Sequence, residues 1–124
     1  MPERLNDVLD ERLRKEPEAR CLWWKGAWGN RREFQSLADG CTRSLEDAGF
    51  GSGQRLAVMM PNSPMTEALA LAAWRLGGSF CPLNEKAGAA SLLKTLNLLQ
   101  PFAVVVSEGV SGSLAEAIRG AGLP

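Results

Sequence analysis

Chemistry in a chain of this size should announce itself through a few side chains, and the first candidate here is Gly49-Phe50-Gly51-Ser52-Gly53. Closely spaced glycines can bare backbone N–H groups to a phosphate. The dinucleotide fingerprint, however, needs a strand before it, a helix after it and a third glycine where this chain has Gln54. The flanking pattern is the reverse, helix before and strand after, so the cluster reads as a helix end plus a turn. Cys81 could act as a nucleophile, but the chain holds no histidine to activate it, and a small buried hydrophobe is the plainer reading. The absence of histidine and tyrosine also removes a Ser-His dyad and imidazole metal ligation. Asn62 can be a ligand group at a strand end or a helix cap, and capping is preferred. Arg31-Arg32 could clamp a phosphate, yet adjacent strand residues point to opposite faces and are then solvated. Trp23, Trp24, Trp28 and Trp74 could stack a base, although packing on the sheet or on a missing partner accounts for them more simply. No Gly-x-x-x-x-Gly-Lys-Ser/Thr phosphate loop occurs. No residue is therefore assigned a catalytic, cofactor-binding or metal-binding role.

The elements that would position these groups follow from periodicity. Leu5, Val8, Leu9 and Leu13 predict a helix over about 5–16, stopped by Pro17. Arg20 to Trp24 predicts a strand, Lys25 to Asn30 a turn, and Arg31 to Glu33 the return strand of a hairpin. Leu37, Cys41, Leu45 and Ala48 mark a helix from Phe34 to Gly49. Leu56 to Met59 is an apolar run of the kind found in parallel strands covered on both faces. Asn62 or Ser63 caps the next helix, with Pro64 in its first turn and Met65, Leu69, Ala72, Ala73 and Leu76 as its stripe. Gly77-Gly78 ends it, and Ser79 to Leu83 forms a short strand limited by Pro82. A helix with Leu92, Leu93, Leu96 and Leu99, a strand at Phe102 to Val106, and a last helix with Leu114, Ala117, Ile118 and Ala121 complete the order. The last helix takes Ser111 or Ser113 as its cap. Strands alternating with helices predict one α/β domain over 1–124, a Rossmann-like layer with a mainly parallel sheet, helices on both faces and the hairpin at one edge.

Bulk properties fit that reading. The 124 residues suffice for one core, and 45% hydrophobic with 23% charged residues is ordinary for a globular domain. Fourteen basic residues balance fourteen acidic ones, so no net field favours nucleic acid or an anionic surface. Three cysteines with no Cys-x-x-Cys pair predict free thiols in a reducing cytoplasm. The N-terminus lacks a signal-peptide pattern, and no stretch has the roughly 20 apolar residues that span a membrane.

Four motifs carry a family resemblance. Trp74-Arg75-Leu76-Gly77-Gly78-Ser79-Phe80-Cys81-Pro82-Leu83 resembles the Leu-Lys-Ala-Gly-x-Ala-Tyr-Val-Pro-Leu stretch near the start of adenylate-forming enzymes, the acyl-CoA synthetase and adenylation-domain superfamily. Glu33 to Leu37 is similar to their Thr-Tyr-x-Glu-Leu, and Gly49 to Ala57 to their Gly-Val-x-x-Gly-Asp-Arg-Val-Ala, with Gln54 for Asp. Met59-Met60-Pro61-Asn62-Ser63 resembles Leu-x-Pro-Asn-Ser. Glu85-Lys86-Ala87-Gly88 departs by lacking a proline. The resemblance implies the N-terminal portion of an ATP- and magnesium-dependent ligase that joins a carboxylic acid to the thiol of CoA or of a carrier protein. Fatty, aryl and amino acids all stay open. The phosphate loop, adenine motif, ribose-binding Asp and catalytic Lys of that family have no counterpart here, so the chain is expected to be inactive alone and to pair with the remainder of the enzyme. A subdomain of that kind is also expected to expose an apolar patch and to self-associate, with the hairpin tryptophans and the last helix as candidates. The alternatives are a free-standing α/β interaction or regulatory module that has lost the chemistry and, more weakly, a small nucleotide-binding enzyme.

Overall fold

A computed structural model describes residues 4–84 and 86–106. The expected last helix, with Ser111 or Ser113 as its cap, lies outside the described residues. The elements run α1 (Leu5–Arg14), β1 (Arg20–Trp24), β2 (Ala27–Asn30), α2 (Arg31–Asp47), β3 (Arg55–Met59), α3 (Pro64–Arg75), β4 (Ser79–Pro82), α4 (Ala89–Leu99) and β5 (Ala103–Val106). β3, β4 and β5 form a parallel sheet in the order β4-β3-β5, with Leu56 beside both Phe80 and Ala103.

Alternation along β3 divides the core. Leu56 and Val58 face α2 and α3 with Leu45, Leu69 and Leu71, whereas Ala57 and Met59 face α4 with Leu92 and Leu96. The result is the expected α/β layer. Cover on both faces is complete only for β3: β4 and β5 are half-buried strands at the sides of the described sheet, and Val106 is exposed. α3 is enclosed almost all round, because Ala68, Ala70, Ala72 and Ala73 let its neighbours approach closely.

The hairpin differs from expectation in two respects. Lys25 (φ 49°) and Gly26 (φ 81°) are both left-handed, the two-residue turn whose twist suits a hairpin. The return strand is therefore Ala27–Asn30, and Arg31 to Glu33 open α2 instead. Asn30 accepts from the Glu33 N–H at 2.8 Å while Glu33 accepts from the Asn30 N–H at 3.1 Å, a reciprocal cap that fixes the helix start. The hairpin is also a separate two-stranded sheet resting on α2, not an added strand of the parallel sheet.

Two helices end alike. The N–H groups of Gly49 and Phe50 return to Glu46 and Leu45, and those of Gly77 and Gly78 to Trp74 and Ala73. Gly49 (φ 94°) and Gly77 (φ 81°) supply the left-handed residue. Gly78 serves another purpose. A Cβ there would overlap the Phe50 ring and lie 2.8 Å from the Gln54 carbonyl oxygen.

Candidate functional site

The glycine cluster is closed by its own hydrogen bonds. Besides the two helix-ending bonds from Gly49 and Phe50, Gly51 N–H donates to Gln54 Oε1 at 2.7 Å. Gly53 N–H donates to the Gly77 carbonyl at 3.1 Å, and Gln54 N–H to the Gly51 carbonyl at 3.2 Å. Only the Ser52 N–H of this run lacks a backbone or side-chain acceptor among the described residues. The loop is joined to the central motif again through Ser79 N–H and the Gln54 carbonyl, at 2.8 Å. A phosphate cradle needs several convergent free N–H groups, and this loop has spent them on connecting α2, β3 and the α3–β4 turn.

The arginines are engaged in the same way. Arg31 Nη1 donates to the carbonyls of Arg12 (2.9 Å) and Lys15 (2.8 Å), closing the C-terminus of α1, and Arg32 pairs with Glu18. Arg55 closes the C-terminus of α4 through the Leu99 carbonyl at 2.7 Å. Arg75 joins three helices: it donates to Asp10 Oδ1 on α1 (2.6 and 2.9 Å), and to Asp39 Oδ1 (2.9 Å) and Thr42 Oγ1 (3.1 Å) on α2. Burial pulls its pKa down, but the two carboxylates outweigh that and hold it above the ordinary value. Each of these arginines is a fold contact.

The three thiols are free. Burial pushes the Cys21 thiol up, with Arg31 opposing only in part, and burial alone raises that of Cys41, whose sulfur lies 3.4 Å from Met65 Sδ. Raised thiols are poor nucleophiles. Cys81 sits half-buried on β4 beside Ala57.

Three of the concavities among the described residues stand out by place and lining. A crevice of about 360 Å³ opens beyond the C-terminal ends of β3 and β4, between Met60-Pro61-Asn62 and Pro82-Leu83-Asn84 with Lys86. It lies outside the carboxyl ends of two adjacent parallel strands, the end of an open α/β sheet at which ligands bind. Ser63 occupies the N-cap of α3, although its side chain caps no N–H, so Asn62 is exposed at the crevice and is not the cap. Asn84 Oδ1 accepts from the Lys86 N–H at 2.9 Å. The amide-and-ammonium lining can hold a polar or anionic group. Sequence reasoning named Asn62 and missed Asn84 and Lys86, whose only signal was their place just after a strand. A second, apolar groove of about 610 Å³ lies between α2, α3 and Val105. A third, of about 390 Å³, lies under the hairpin, lined by Leu22, Trp24, Trp28, Phe34, Leu37 and Pro64. The glycine loop does not fit a nucleotide phosphate, nor do the described carboxylates fit a magnesium ion. The loop N–H groups are engaged, and no group of three or more Cys, Asp or Glu among the described residues could hold a metal ion.

The model of the AMP-binding enzyme family matches residues 9–122. A plipastatin synthase of Bacillus subtilis (strain 168) is 28% identical over 113 residues, which cover 91% of this chain and 4% of that protein. Acetoacetyl-coenzyme A synthetase of Rhizobium meliloti (strain 1021) is 31% identical over 77 residues, covering 62% and 12%. Among solved structures, the inhibitor-bound N-terminal domain of FACL13 from Mycobacterium tuberculosis superposes with a TM-score of 0.87 at 23% identity, covering 95% of this chain and 30% of that one. VinN in complex with L-aspartate gives 0.84 at 23%, covering 96% and 33%. At these identities the structural matches establish the fold. The chain spans only a small part of each of these proteins.

Proposed function

Because the chain belongs to the AMP-binding enzyme family, we propose that it is the N-terminal portion of an ATP-dependent carboxylate ligase and a scaffold that is inactive by itself. In the whole enzyme a carboxylic acid displaces pyrophosphate from ATP to give an acyl-adenylate, and the thiol of CoA or of a carrier protein then takes the acyl group. The acid is a fatty, aryl or amino acid. The observation that carries the division of labour is the closed glycine loop: its N–H groups hold α2, β3 and the α3–β4 turn together, which supports assigning the phosphates to later segments. This chain's contribution is a rigid three-layer platform, the polar crevice at the ends of β3 and β4, and the apolar groove beside β5 that the remainder of the enzyme covers. The free thiols suit a reducing cytoplasm.

Acid-dependent exchange of pyrophosphate into ATP tests this reading. The chain alone gives none with any carboxylic acid. Exchange appears when a downstream segment bearing the Ser/Thr-Gly-rich loop and the catalytic Lys is supplied in trans or by fusion. Exchange by the isolated chain would refute the proposal. The second reading, a free-standing interaction module, draws on the exposed aromatic hairpin, and a reading frame that stops after Pro124 would favour it.

A further inference from the structure

Among the described residues Leu5, Val8, Met65, Leu98 and Val106 are exposed at scattered places, whereas the hairpin gathers three exposed aromatic rings at one turn. Trp23, Trp24 and Trp28 are 58%, 41% and 47% exposed. They surround the Lys25-Gly26 turn. Trp23 and Trp28 form a cross-strand edge-to-face pair with centroids 5.5 Å apart. Trp24, opposite Ala27, alternates to the other face of the ribbon, and both it and Trp28 border the groove on α2. Two cations accompany them: the Arg20 guanidinium lies 5.4 Å from the Trp28 ring centre and the Lys25 ammonium 5.7 Å from that of Trp24. Neither cation forms an ion pair among the described residues. Of the carboxylates nearby, Glu18 pairs with Arg32, Glu33 caps α2, and Glu67 borders the concavity beneath Trp23 and Trp24.

The geometry points to this hairpin as a docking finger for an anionic lipid surface. Indole rings, with an apolar body and one N–H donor, settle at the boundary between headgroups and acyl chains. Cations stacked on the exposed rings reach the phosphate layer as the rings enter beneath it. The two faces of the finger present tryptophan together, as insertion of a tip requires and as a flat protein interface on one face does not. Docking is peripheral: no helix among the described residues is long and apolar enough to cross a membrane. Such docking is independent of the ligase reading.

The test uses the full chain with vesicles of phosphatidylcholine alone and of phosphatidylcholine with phosphatidylserine, read by co-sedimentation and by tryptophan emission with bromine-labelled lipid quenchers. Binding is expected on the mixed vesicles, with blue-shifted emission quenched by shallow bromines and weakened by added salt. Trp23→Ser with Trp28→Ser lowers partition roughly tenfold or more. Lys25→Gln, which leaves the ring pair intact, lowers it about fivefold on the mixed vesicles only. Circular dichroism identifies a tryptophan variant whose hairpin fails to form, and the test then rests on Lys25→Gln and Arg20→Gln. No binding to either vesicle overturns the proposal, as does binding unaffected by all of these variants. It is equally overturned if the tryptophan variants abolish self-association while vesicle binding persists, because the surface is then a contact between proteins.

Discussion

β3 and the hairpin are both rich in apolar residues, yet the molecule uses them in opposite ways. Leu56, Ala57, Val58 and Met59 are at most 2% exposed, with helices on both faces of the sheet. The tryptophans of β1 and β2 stand in solvent on a two-stranded sheet supported mainly by α2. Crossover helices account for the difference. A strand joined to its neighbours through α3 and α4 is covered by its own connections, whereas a hairpin closed by two residues brings no cover with it. Apolar content alone does not tell burial; connectivity does.

The sharpest way to break this account of cover is to place a charge in the fully covered strand and another in a half-covered one. Val58→Asp buries an unpaired carboxylate and costs more than about 4 kcal/mol, so thermal denaturation should show no cooperative transition. Val105→Asp, on half-buried β5, should cost about 2 kcal/mol and leave a folded protein with a lowered midpoint. Equal losses would show the two strands to be equally enclosed. Gly78→Ala tests the joint between the glycine loop and the central motif. Its methyl group meets the Phe50 ring and the Gln54 carbonyl, at a cost of about 3 kcal/mol in a denaturant titration. Arg75→Met leaves Asp10 and Asp39 without their partner and costs about 2 kcal/mol, a figure reduced because Asp39 is half exposed. Least of all, Trp23→Ser should move the melting free energy by about 0.5 kcal/mol or less, since the ring is mostly in solvent.

The parallel sheet was legible in the sequence because its strands are short apolar runs between helices of clear period. The glycine cluster was legible as a helix end and a turn because a helical period precedes it and an apolar strand run follows. The hairpin return strand was misplaced through an overlooked local signal: Asn30 followed three residues later by Glu33 is a capping box, which starts a helix and cannot continue a strand. Partial cover of β4 and β5 was not legible, since an apolar run has the same composition whether one face or both are packed. Nor were the roles of Arg31, Arg55 and Arg75, whose partners lie 16 to 65 residues away in sequence. The strand-end crevice depends on two loops that only the sheet order brings together, so Asn84 and Lys86 had no sequence pattern to mark them.

If the glycine loop is structural, phosphate binding belongs to segments beyond this chain, and isothermal titration of the chain with ATP·Mg²⁺ tests that division most directly. With five of the six N–H groups from Gly49 to Gln54 donating inside the protein, heats should show no saturation tighter than about millimolar, the weak end of the affinity scale. Saturable binding at about micromolar concentration, abolished by Gly51→Val with Gly53→Val in a protein that still folds, would contradict this and make the loop a nucleotide site.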